Sequence, residues 1–351
     1  MVDAHKLNGF MEKMLGDLGG ALSVSLVRIG DRLGLYRALH EYGPMTSDRL
    51  AETAGIAPRY AREWCAQQAA SGYLAYRAED QSFELPPEQA MVFALPDSPV
   101  YLQGAFDLAS AMIENQASVE AAFKTGGGVA WGDQGECLFC ATGRFFRPAY
   151  NTQLISSWLP ALDGVAAKLI DGGRVADVGC GHGFSTIMMA KAFPKTRFIG
   201  YDFHEGSIAQ ARIHAEQHGV SANTSFEVAT AQSFGASDLD LVTFFDCLHD
   251  MGDPAGAAAH VRETLKPDGT WMVVEPQAAD RIEDNLNSIG RLYYAGSTMV
   301  CIPTSLDQPI GLALGAQAGF KRLAEIIEQN GFSVVRKASE TPFNMVIEAR
   351  P

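Results

Sequence analysis

One turn constrains this chain more than any other feature: a glycine-rich stretch that joins a short apolar run to a helix start. Residues 175–185 read Val-Ala-Asp-Val-Gly-Cys-Gly-His-Gly-Phe-Ser, which places glycines at Gly179, Gly181 and Gly183. Glycine lets the backbone approach a ligand where a Cβ would clash, and it adopts positive φ at little cost. The stretch therefore predicts a strand, a tight turn and a helix that bind a small molecule through the backbone.

The residues around this turn alternate between short apolar runs and helical stretches. Strands are predicted at 175–178, 197–201, 225–228, 239–245, 270–274 and 344–349, and helices at 184–193, 205–218, 255–265 and 317–330. Repeated βα units favour a parallel sheet covered by helices. Residues 151–351 are therefore predicted to form an α/β, Rossmann-like domain.

The first 95 residues follow a different order, in which a helix and a helix-turn-helix precede a two-stranded wing. Helices are predicted at 1–20, 24–39, 46–54 and 59–71, and strands at 73–76 and 82–85. Residues 1–95 are therefore predicted to form a mostly α-helical winged-helix domain. Residues 96–150 are predicted to be a helical linker that can act as a lid.

The spacing of the glycines separates two kinds of cofactor. A dinucleotide fingerprint reads G-x-G-x-x-G, whereas here the third glycine comes one residue early. The string D-x-G-x-G-x-G that begins at Asp177 resembles motif I of class I methyltransferases, and residues 265–269 resemble the turn before their fifth strand. The resemblance covers residues 150–351. It implies a turn that binds the methionine and ribose side of S-adenosylmethionine, with S-adenosylhomocysteine as the product.

Side chains at the strand ends are candidate cofactor contacts. Asp202 ends the second strand, where a carboxylate can accept hydrogen bonds from two ribose hydroxyls, although NAD enzymes use the same device. Many class I methyltransferases bind the adenine amino group through an acidic residue at the position where this chain has Thr230. If the chain binds adenine, Thr230, Gln232 or backbone groups must therefore make this contact. The candidate cofactor contacts are Asp177, Gly179, Gly181, Gly183, Asp202, Phe203, Thr230, Ala231, Gln232, Asp246, Cys247 and Tyr150.

The segment after the fourth strand carries the candidate catalytic group. Residues 248–253 read Leu-His-Asp-Met-Gly-Asp and resemble the L-H-D-W-x-D motif of plant-type O-methyltransferases, with Met251 in place of tryptophan. The resemblance implies that His249 is the general base, with Asp250 beside it and Glu275 as its carboxylate partner. Histidine suits proton removal near neutral pH. The alternatives are that His249 only shapes the pocket and that Asp250 belongs to a helix start.

The residues after the fifth strand indicate the chemical class of the molecule that accepts the methyl group. They form a long insertion with many apolar groups, which contains Tyr293, Tyr294, Met299 and Cys301. This favours a small apolar or aromatic acceptor, and the resemblance to O-methyltransferases implies that a hydroxyl of it is methylated, although the sequence does not fix oxygen over nitrogen or carbon. Two alternatives remain open: a regulator that senses S-adenosylmethionine without turnover, and an enzyme of the same fold with another chemistry, such as decarboxylation.

Charge argues against nucleic acid as a partner. The chain has 27 basic and 41 acidic residues, a net charge of −14, and residues 31–88 contain nine acidic residues against six basic ones. Phosphate contacts need more positive charge. The apolar helices between Leu7 and Leu39 instead favour burial, and the resemblance to small-molecule O-methyltransferases implies a homodimer through the N-terminal domain. There is no apolar run of about 18 residues for a membrane span and no signal-peptide pattern, so a cytoplasmic protein is expected.

Metal binding is not predicted. Cys137 and Cys140 form a C-x-x-C motif, but zinc would need further ligands at suitable spacing nearby. The six cysteines are therefore expected to be free thiols in a reduced compartment. No carboxylate cluster that would hold magnesium near the acceptor can be assembled from the sequence.

Overall fold

The computed structural model describes the backbone of all 351 residues and every side chain except those of Glu136 and Cys137. The C-x-x-C motif of Cys137 and Cys140 therefore lies partly outside the described residues. The chain divides into two compact units. The first contains residues 1–113 and 140–148, and the second contains residues 114–139 and 149–351.

The first unit is mostly helical. Its elements are α1 Ala4–Arg32, α2 Leu35–Tyr42, β1 Met45–Thr46, α3 Ser47–Ala54, α4 Pro58–Ala70, β2 Ala75–Arg77, β3 Ser82–Glu84, α5 Pro87–Phe93 and α6 Gln103–Glu114. The strands form an antiparallel wing in the order β1-β3-β2, so the predicted two-stranded wing has a third strand. None of the described helices, α1 included, combines the length and the apolar character that a membrane crossing requires.

The predicted helix boundary between residues 20 and 24 is wrong. Residues 4–32 form one continuous helix, because its internal glycines weaken a helix by about 1 kcal/mol each relative to alanine but do not break it. The break comes later, at Gly34, whose φ of 68° belongs to the left-handed region. Helix α2 therefore starts after Gly34, and α1 is 29 residues long.

The core of the first unit is aromatic. The ring centroid of Tyr36 lies 5.1 Å from that of Trp64 and 4.8 Å from that of Phe93. The indole N–H of Trp64 donates to the carbonyl oxygen of Leu26 at 2.9 Å, which ties α4 to α1. A Cβ on Gly30 would lie 2.5 Å from the Trp64 ring and 2.8 Å from the Tyr36 ring. The close approach of α1 to this aromatic pair therefore requires a glycine.

Two further helices follow. Helix α7, Gln116–Thr125, belongs to the second unit, and α8, Glu136–Ala149, gives residues 140–148 to the first. Arg144 in α8 lies 2.7 Å from a carboxylate oxygen of Asp31 in α1 and 2.6 Å from one of Asp107 in α6. A Cβ on Gly104 would lie 2.6 Å from the Arg144 backbone, so α6 and α8 are in direct backbone contact. These contacts make residues 140–148 part of the first unit.

Helix α8 continues as a widened π-helical stretch, Tyr150–Trp158. Pro148 lies inside α8 and has no N–H to donate to the carbonyl four residues earlier, so the regular hydrogen-bond ladder is interrupted there. The stretch buries Tyr150, Leu154 and Trp158. π-helical turns are rare and are often found at functional sites.

The second unit contains a seven-stranded sheet with helices between its strands. Its further elements are α9 Val165–Asp171, β4 Arg174–Val178, α10 Phe184–Ala192, β5 Arg197–Asp202, α11 Glu205–Gln217, β6 Thr224–Val228, β7 Leu239–Phe245, α12 Pro254–Thr264, β8 Leu265–Pro276, α13 Ser288–Gly296, α14 Ile302–Asp307, α15 Gly319–Gln329, β9 Val334–Glu340 and β10 Asn344–Arg350. The strand order is β6-β5-β4-β7-β8-β10-β9. The strands from β6 to β8 are parallel, and β10 is antiparallel to both of its neighbours.

The six predicted strands are present, and two details of the prediction are wrong. Strand β9 was not predicted, because it lies at a sheet edge and none of its residues is buried, so it has no apolar run. Strand β8 begins at Leu265 rather than at 270. Its register against β7 jumps from Leu239–Leu265 to Leu241–Thr270, so residues 266–269 bulge out of the ladder.

The sheet brings the predicted site residues to one edge. Its centre is apolar, with Val242, Phe244 and Trp271 fully buried. The parallel strands end at the same edge, and open α/β sheets bind their ligands at that edge. The glycine turn follows β4, Asp202 ends β5, Asp246 follows β7, and Glu275 lies at the end of β8.

The aromatic contact of α1 generates a stability prediction. We expect Gly30→Ala to lower the free energy of unfolding by about 1–3 kcal/mol, because its Cβ forces the Trp64 and Tyr36 rings apart. Gly16→Ala on the same helix meets no atom within 4 Å and should instead stabilise the protein by up to about 1 kcal/mol. Urea unfolding followed by tryptophan fluorescence measures both, and equal effects of the two variants would contradict the packing argument.

Candidate functional site

The glycine turn has the backbone conformation that only glycine adopts easily. The φ angles of Gly179 and Gly181 are 74° and 52°, in the left-handed region. A Cβ on Gly179 would lie 2.7 Å from the sulfur of Cys247, whereas one on Gly181 would meet no atom within 4 Å. The turn is therefore packed on one side and open at Gly181, where a ligand can approach the backbone.

Asp177 supports the turn from beneath. Its carboxylate is fully buried and accepts hydrogen bonds from the hydroxyls of Ser185 at 2.7 Å, Thr186 at 2.5 Å and Thr243 at 2.9 Å. Burial raises the pKa of Asp177, although the three hydroxyls act in the opposite direction. Because its oxygens are occupied by the first turn of α10 and by β7, the side chain fixes the shape of the turn.

Asp202 fixes the turn from the side. One carboxylate oxygen accepts from the backbone N–H of Gly181 and the other from that of His204, both at 2.9 Å. The residue is only 8% exposed, and burial raises its pKa despite these two hydrogen bonds. Each oxygen keeps a second lone pair for a hydroxyl group. The ring of Phe203, the next residue, is half exposed and available for stacking.

The residues after β6 offer few free polar groups. The Thr230 hydroxyl lies 2.8 Å from that of Ser233, and the side-chain amide of Gln232 donates to the carbonyl of Asp253 at 3.0 Å. Ala231 is buried. Thr230 is exposed, so its hydroxyl is a side-chain group at this strand end that a ligand base can reach.

Asp246 is strained and incompletely hydrogen-bonded. Its φ of 50° is rare for a residue with a side chain, and such strain is common at functional sites. Its Oδ1 accepts from the amide of Asn344 at 2.9 Å. Its Oδ2 is buried and has no hydrogen-bond partner among the described side chains. Burial and the nearby carboxylate of Glu275 raise the pKa of Asp246 well above its ordinary value.

Tyr150 and Cys247 lie beside this strand end. The Tyr150 ring is buried, with its centroid 5.3 Å from that of Phe245. Burial raises the pKa of the Tyr150 hydroxyl, and the carboxylate of Asp246 raises it further. The thiol of Cys247 donates to the carbonyl of Val178 at 3.4 Å, which joins the end of β7 to that of β4. Cys247 therefore borders the glycine turn, and Tyr150 packs beside Phe245 at the end of β7.

His249 is oriented by Glu275. Its Nδ1 lies 2.5 Å from Oε2 of Glu275, and Oε1 of the same carboxylate accepts from the backbone N–H of Leu248 at 3.0 Å. Glu275 is only 1% exposed and His249 only 4%. Because a carboxylate can only accept, Nδ1 carries a proton, and Nε2 is the ring nitrogen left for another partner.

Nε2 of His249 faces a second carboxylate and a thiol. It lies 3.1 Å from Oδ1 of Asp250, and the thiol of Cys301 is close to both residues. Burial lowers the pKa of His249, but the carboxylates of Asp250 and Glu275 outweigh this effect and raise the pKa well above 6.5. The two carboxylates therefore favour the protonated imidazole.

The insertion after β8 encloses this group. The Tyr293 hydroxyl donates to the carbonyl of Phe343 at 2.5 Å, while Tyr294 and Met299 are half-buried. Residues Ser297–Cys301 form a second π-helical stretch, immediately before α14. The side chain of Gln134 donates to the Thr304 hydroxyl at 2.6 Å, so part of the segment predicted to be a linker packs on α14.

Several residues that build the site were not predicted from the sequence. They are Ser185, Thr186, Thr243, Asn344, Gln134 and Thr304. Their hydroxyl and amide groups come from other elements and have no motif of their own. Only the position of Ser185 and Thr186, directly after the glycine turn, is a signal that sequence reasoning can use.

Sequence comparison finds two matching families, one for the region of the winged N-terminal elements and one for the region of the seven-stranded sheet. A family described as a methyltransferase domain matches residues 169–331. A family described as an Rv2258c-like winged HTH domain matches residues 20–94. The first match contains the glycine turn, Asp202, His249 and Glu275, and the second contains the wing.

Curated relatives match a shorter region. A ubiquinone biosynthesis O-methyltransferase of Aromatoleum aromaticum is 30% identical over 128 residues, which is 35% of this chain and 51% of the relative. The chain thus spans about half the length of this relative. A ubiquinone biosynthesis O-methyltransferase of Hahella chejuensis is 34% identical over 102 residues, which is 28% of this chain and 41% of the relative.

Solved structures match the whole chain. Human N-acetylserotonin methyltransferase in complex with SAM superposes with a TM-score of 0.71 at 14% identity, over 100% of this chain and 98% of that one. An O-methyltransferase family protein of Burkholderia thailandensis gives a TM-score of 0.70 at 14% identity, over 100% of this chain and 98% of that one. At this identity the likeness shows the fold. Together with the two domain matches, it shows that the chain contains a methyltransferase domain behind an Rv2258c-like winged HTH domain, on the fold of these O-methyltransferases.

Proposed function

We propose that this protein transfers a methyl group from S-adenosylmethionine to a hydroxyl group of a small molecule. The observation that carries the proposal is the buried His249–Glu275 hydrogen bond, which lies at the sheet edge that also carries the glycine turn. A base held by a carboxylate, next to a cofactor turn, is suited to removing a proton from an acceptor.

The residues present fit S-adenosylmethionine. The open side of Gly181 leaves space that a Cβ would fill, and the remaining lone pairs of Asp202 suit two vicinal hydroxyls. The buried Oδ2 of Asp246, which has no partner among the described side chains, suits the ammonium group of the methionine part. Phe203 is available to the adenine ring. When bound, the cofactor supplies an activated methyl group.

The protein's part in the reaction is to align the acceptor and to take its proton. Nε2 of His249 is the atom that would receive the proton, since Nδ1–H is held by Glu275. The resulting imidazolium is stabilised by the carboxylates on both sides. To act as the base, Nε2 must be unprotonated and must turn from Asp250 to the acceptor. Proton removal by such a base typically contributes a factor of about 10²–10⁴ to the rate.

The surroundings of His249 favour an apolar or aromatic acceptor. Tyr293, Val300 and Cys301 of the insertion are buried, and Tyr294 and Met299 are partly buried. Apolar walls with a few placed polar groups are typical of small-molecule sites. A phenolic hydroxyl suits this setting because its lower pKa makes proton removal by a histidine easier than from an aliphatic alcohol.

The exposed face of α1 supports a homodimer as the working form. Its apolar residues form a stripe at helical spacing, on the side opposite the buried Ser23, Val27 and Gly30. The stripe comprises Leu7, Met11, Leu15, Leu18 and Leu22, which are 47–72% exposed. An apolar stripe of this length is normally covered, and a second copy of the same helix offers a matching surface.

The cofactor assignment is tested by calorimetric titration with S-adenosylhomocysteine. We expect the wild-type protein to bind and Asp202→Asn to lose at least about tenfold in affinity, since hydrogen bonds to a charged group contribute about 1.5–3 kcal/mol. Glu205→Gln removes an exposed charge three residues away and should bind like the wild type. Unchanged binding by Asp202→Asn would remove the ribose contact from the proposal.

The role of His249 is tested by the pH dependence of kcat/KM. An acceptor is first found by incubating the protein with a panel of small phenols and methyl-tritiated S-adenosylmethionine. Because the Asp250 carboxylate raises the pKa of His249, activity should increase as the pH rises through that pKa. Asp250→Asn should lower the pKa and move this increase to lower pH.

His249→Ala is the control for this profile. It should lower kcat by about 10²–10⁴ and abolish the increase with pH. An unshifted profile in Asp250→Asn, or a normal rate in His249→Ala, would leave His249 as a residue that only shapes the pocket.

The dimer is tested by light scattering after size exclusion. We expect the wild-type protein to have twice the monomer mass, and Leu18→Glu to be a monomer because it places a charge in the apolar stripe. Gly16→Glu adds the same charge on the opposite side of α1, where nothing lies within 4 Å of the glycine, and should leave the dimer intact. A monomeric wild-type protein would contradict the proposal.

A further inference from the structure

His249 and two neighbouring side chains bring three different kinds of donor atom together. One ring nitrogen of His249, one carboxylate oxygen of Asp250 and Sγ of Cys301 all lie within 4.8 Å of one another, and Nε2 of His249 lies 3.1 Å from Oδ1 of Asp250. His249 and Cys301 are buried, and Asp250 is partly buried. Nitrogen, carboxylate oxygen and sulfur are the three ligand types that zinc accepts in proteins.

The histidine is already oriented as a metal ligand. Glu275 accepts a hydrogen bond from Nδ1–H at 2.5 Å, which directs Nε2 toward Asp250 and Cys301. Histidines that bind a metal through one nitrogen almost always donate the other N–H to a carboxylate or carbonyl oxygen. The carboxylate is itself fixed, because its other oxygen accepts from the N–H of Leu248.

Asp250 has an oxygen that needs a partner. Its Oδ1 is buried and accepts no well-formed hydrogen bond from any described group, although it lies 3.1 Å from Nε2 of His249. Buried polar atoms without partners are rare and destabilising. The backbone of Asp250 is held by Gln308, whose amide donates to its carbonyl at 2.9 Å. The backbone of Asp250 is therefore held in place, and its Oδ1 faces Nε2 of His249 in the cluster.

The backbone around the cluster is well supported. His249 and Asp250 lie in a single 3-10 turn, Leu248–Asp250, and Cys301 ends the π-helical stretch Ser297–Cys301. The carbonyl of His249 accepts from the N–H of Gly315 at 3.3 Å. In a tetrahedral zinc site the ligand atoms lie about 3.3–3.8 Å apart, so closure on an ion needs side-chain shifts on the order of 1 Å.

We propose that His249, Asp250 and Cys301 bind a thiophilic divalent cation such as Zn²⁺, which occupies Nε2 and inhibits methyl transfer. The ion forms bonds to Nε2, Oδ1 and Sγ and displaces the protons of the thiol and of Nε2 to solvent. Water completes the coordination. The ion thus inhibits methyl transfer because it competes with the proton of the acceptor for Nε2 of His249.

The donor set selects among cations. Magnesium and calcium require oxygen ligands, and this cluster offers one carboxylate beside a thiol and an imidazole. Zinc, cobalt and other borderline or soft ions accept all three.

The inhibition rests on the proposed function, since it requires that His249 takes the proton of the acceptor. The binding of the ion is independent of the proposed function.

The first experiment measures binding without any acceptor. Chelator-treated protein is titrated with Co²⁺, which gives a thiolate charge-transfer band in the near ultraviolet when a cysteine is a ligand. We expect one ion per chain with this band in the wild type. In Cys301→Ser the band should disappear and the affinity should fall at least tenfold. Cys140→Ser should keep both, which distinguishes this cluster from the C-x-x-C motif of Cys137 and Cys140.

A band that persists in Cys301→Ser, or that is lost in Cys140→Ser, overturns the proposal. A wild-type protein that binds no Co²⁺ also overturns it. Once an acceptor is known, Zn²⁺ should inhibit the wild type and should inhibit Cys301→Ser at least tenfold less. Binding without inhibition would show that the ion site exists and that His249 is not the base, so the two proposals fail separately.

Discussion

The buried carboxylate of Glu275 is the interaction on which the candidate site depends. It lies at the end of β8 and accepts from Leu248 and His249, which belong to the turn after β7. A buried carboxylate is costly unless both of its oxygens are hydrogen-bonded, and here they are. The same two bonds leave Nε2 of His249 as the ring nitrogen that can meet another partner. The proposed proton removal and the proposed ion binding are therefore alternative uses of one atom, which Glu275 orients.

Carboxylates hold the other turns of this sheet edge in a similar way. Asp177 accepts hydroxyl hydrogen bonds beneath the glycine turn, and Asp202 accepts two backbone N–H groups beside it. Each lies at the end of a parallel strand, where burial raises its pKa and the hydrogen bonds oppose that rise. These hydrogen bonds hold the glycine turn in its conformation without a ligand, which lowers the entropic cost of the proposed cofactor binding.

Local sequence was enough to predict the strand ends, because buried parallel strands are short apolar runs and the glycine spacing is specific. The edge strand β9 could not be predicted in this way, since none of its residues is buried. The continuity of α1 was missed because glycines in a helix weaken it without ending it. The predicted site residues His249 and Glu275 are in contact, but Cys301 and Asn344 join the site through contacts across 52 and 98 residues of chain, and no local pattern reports them. The domain limits and the roles of the site residues remain predictions.

The first unit has a consequence for the order of events during synthesis. Residues 140–148 belong to it, and Arg144 connects Asp31 to Asp107 there. A ribosome-bound chain that has emerged only as far as residue 113 therefore leaves two acidic side chains without their shared arginine and leaves α6 without its partner helix. The N-terminal unit can complete its fold only after the first residues of the second unit, 114–139, have been made. The two units are thus coupled during folding, although each has its own core.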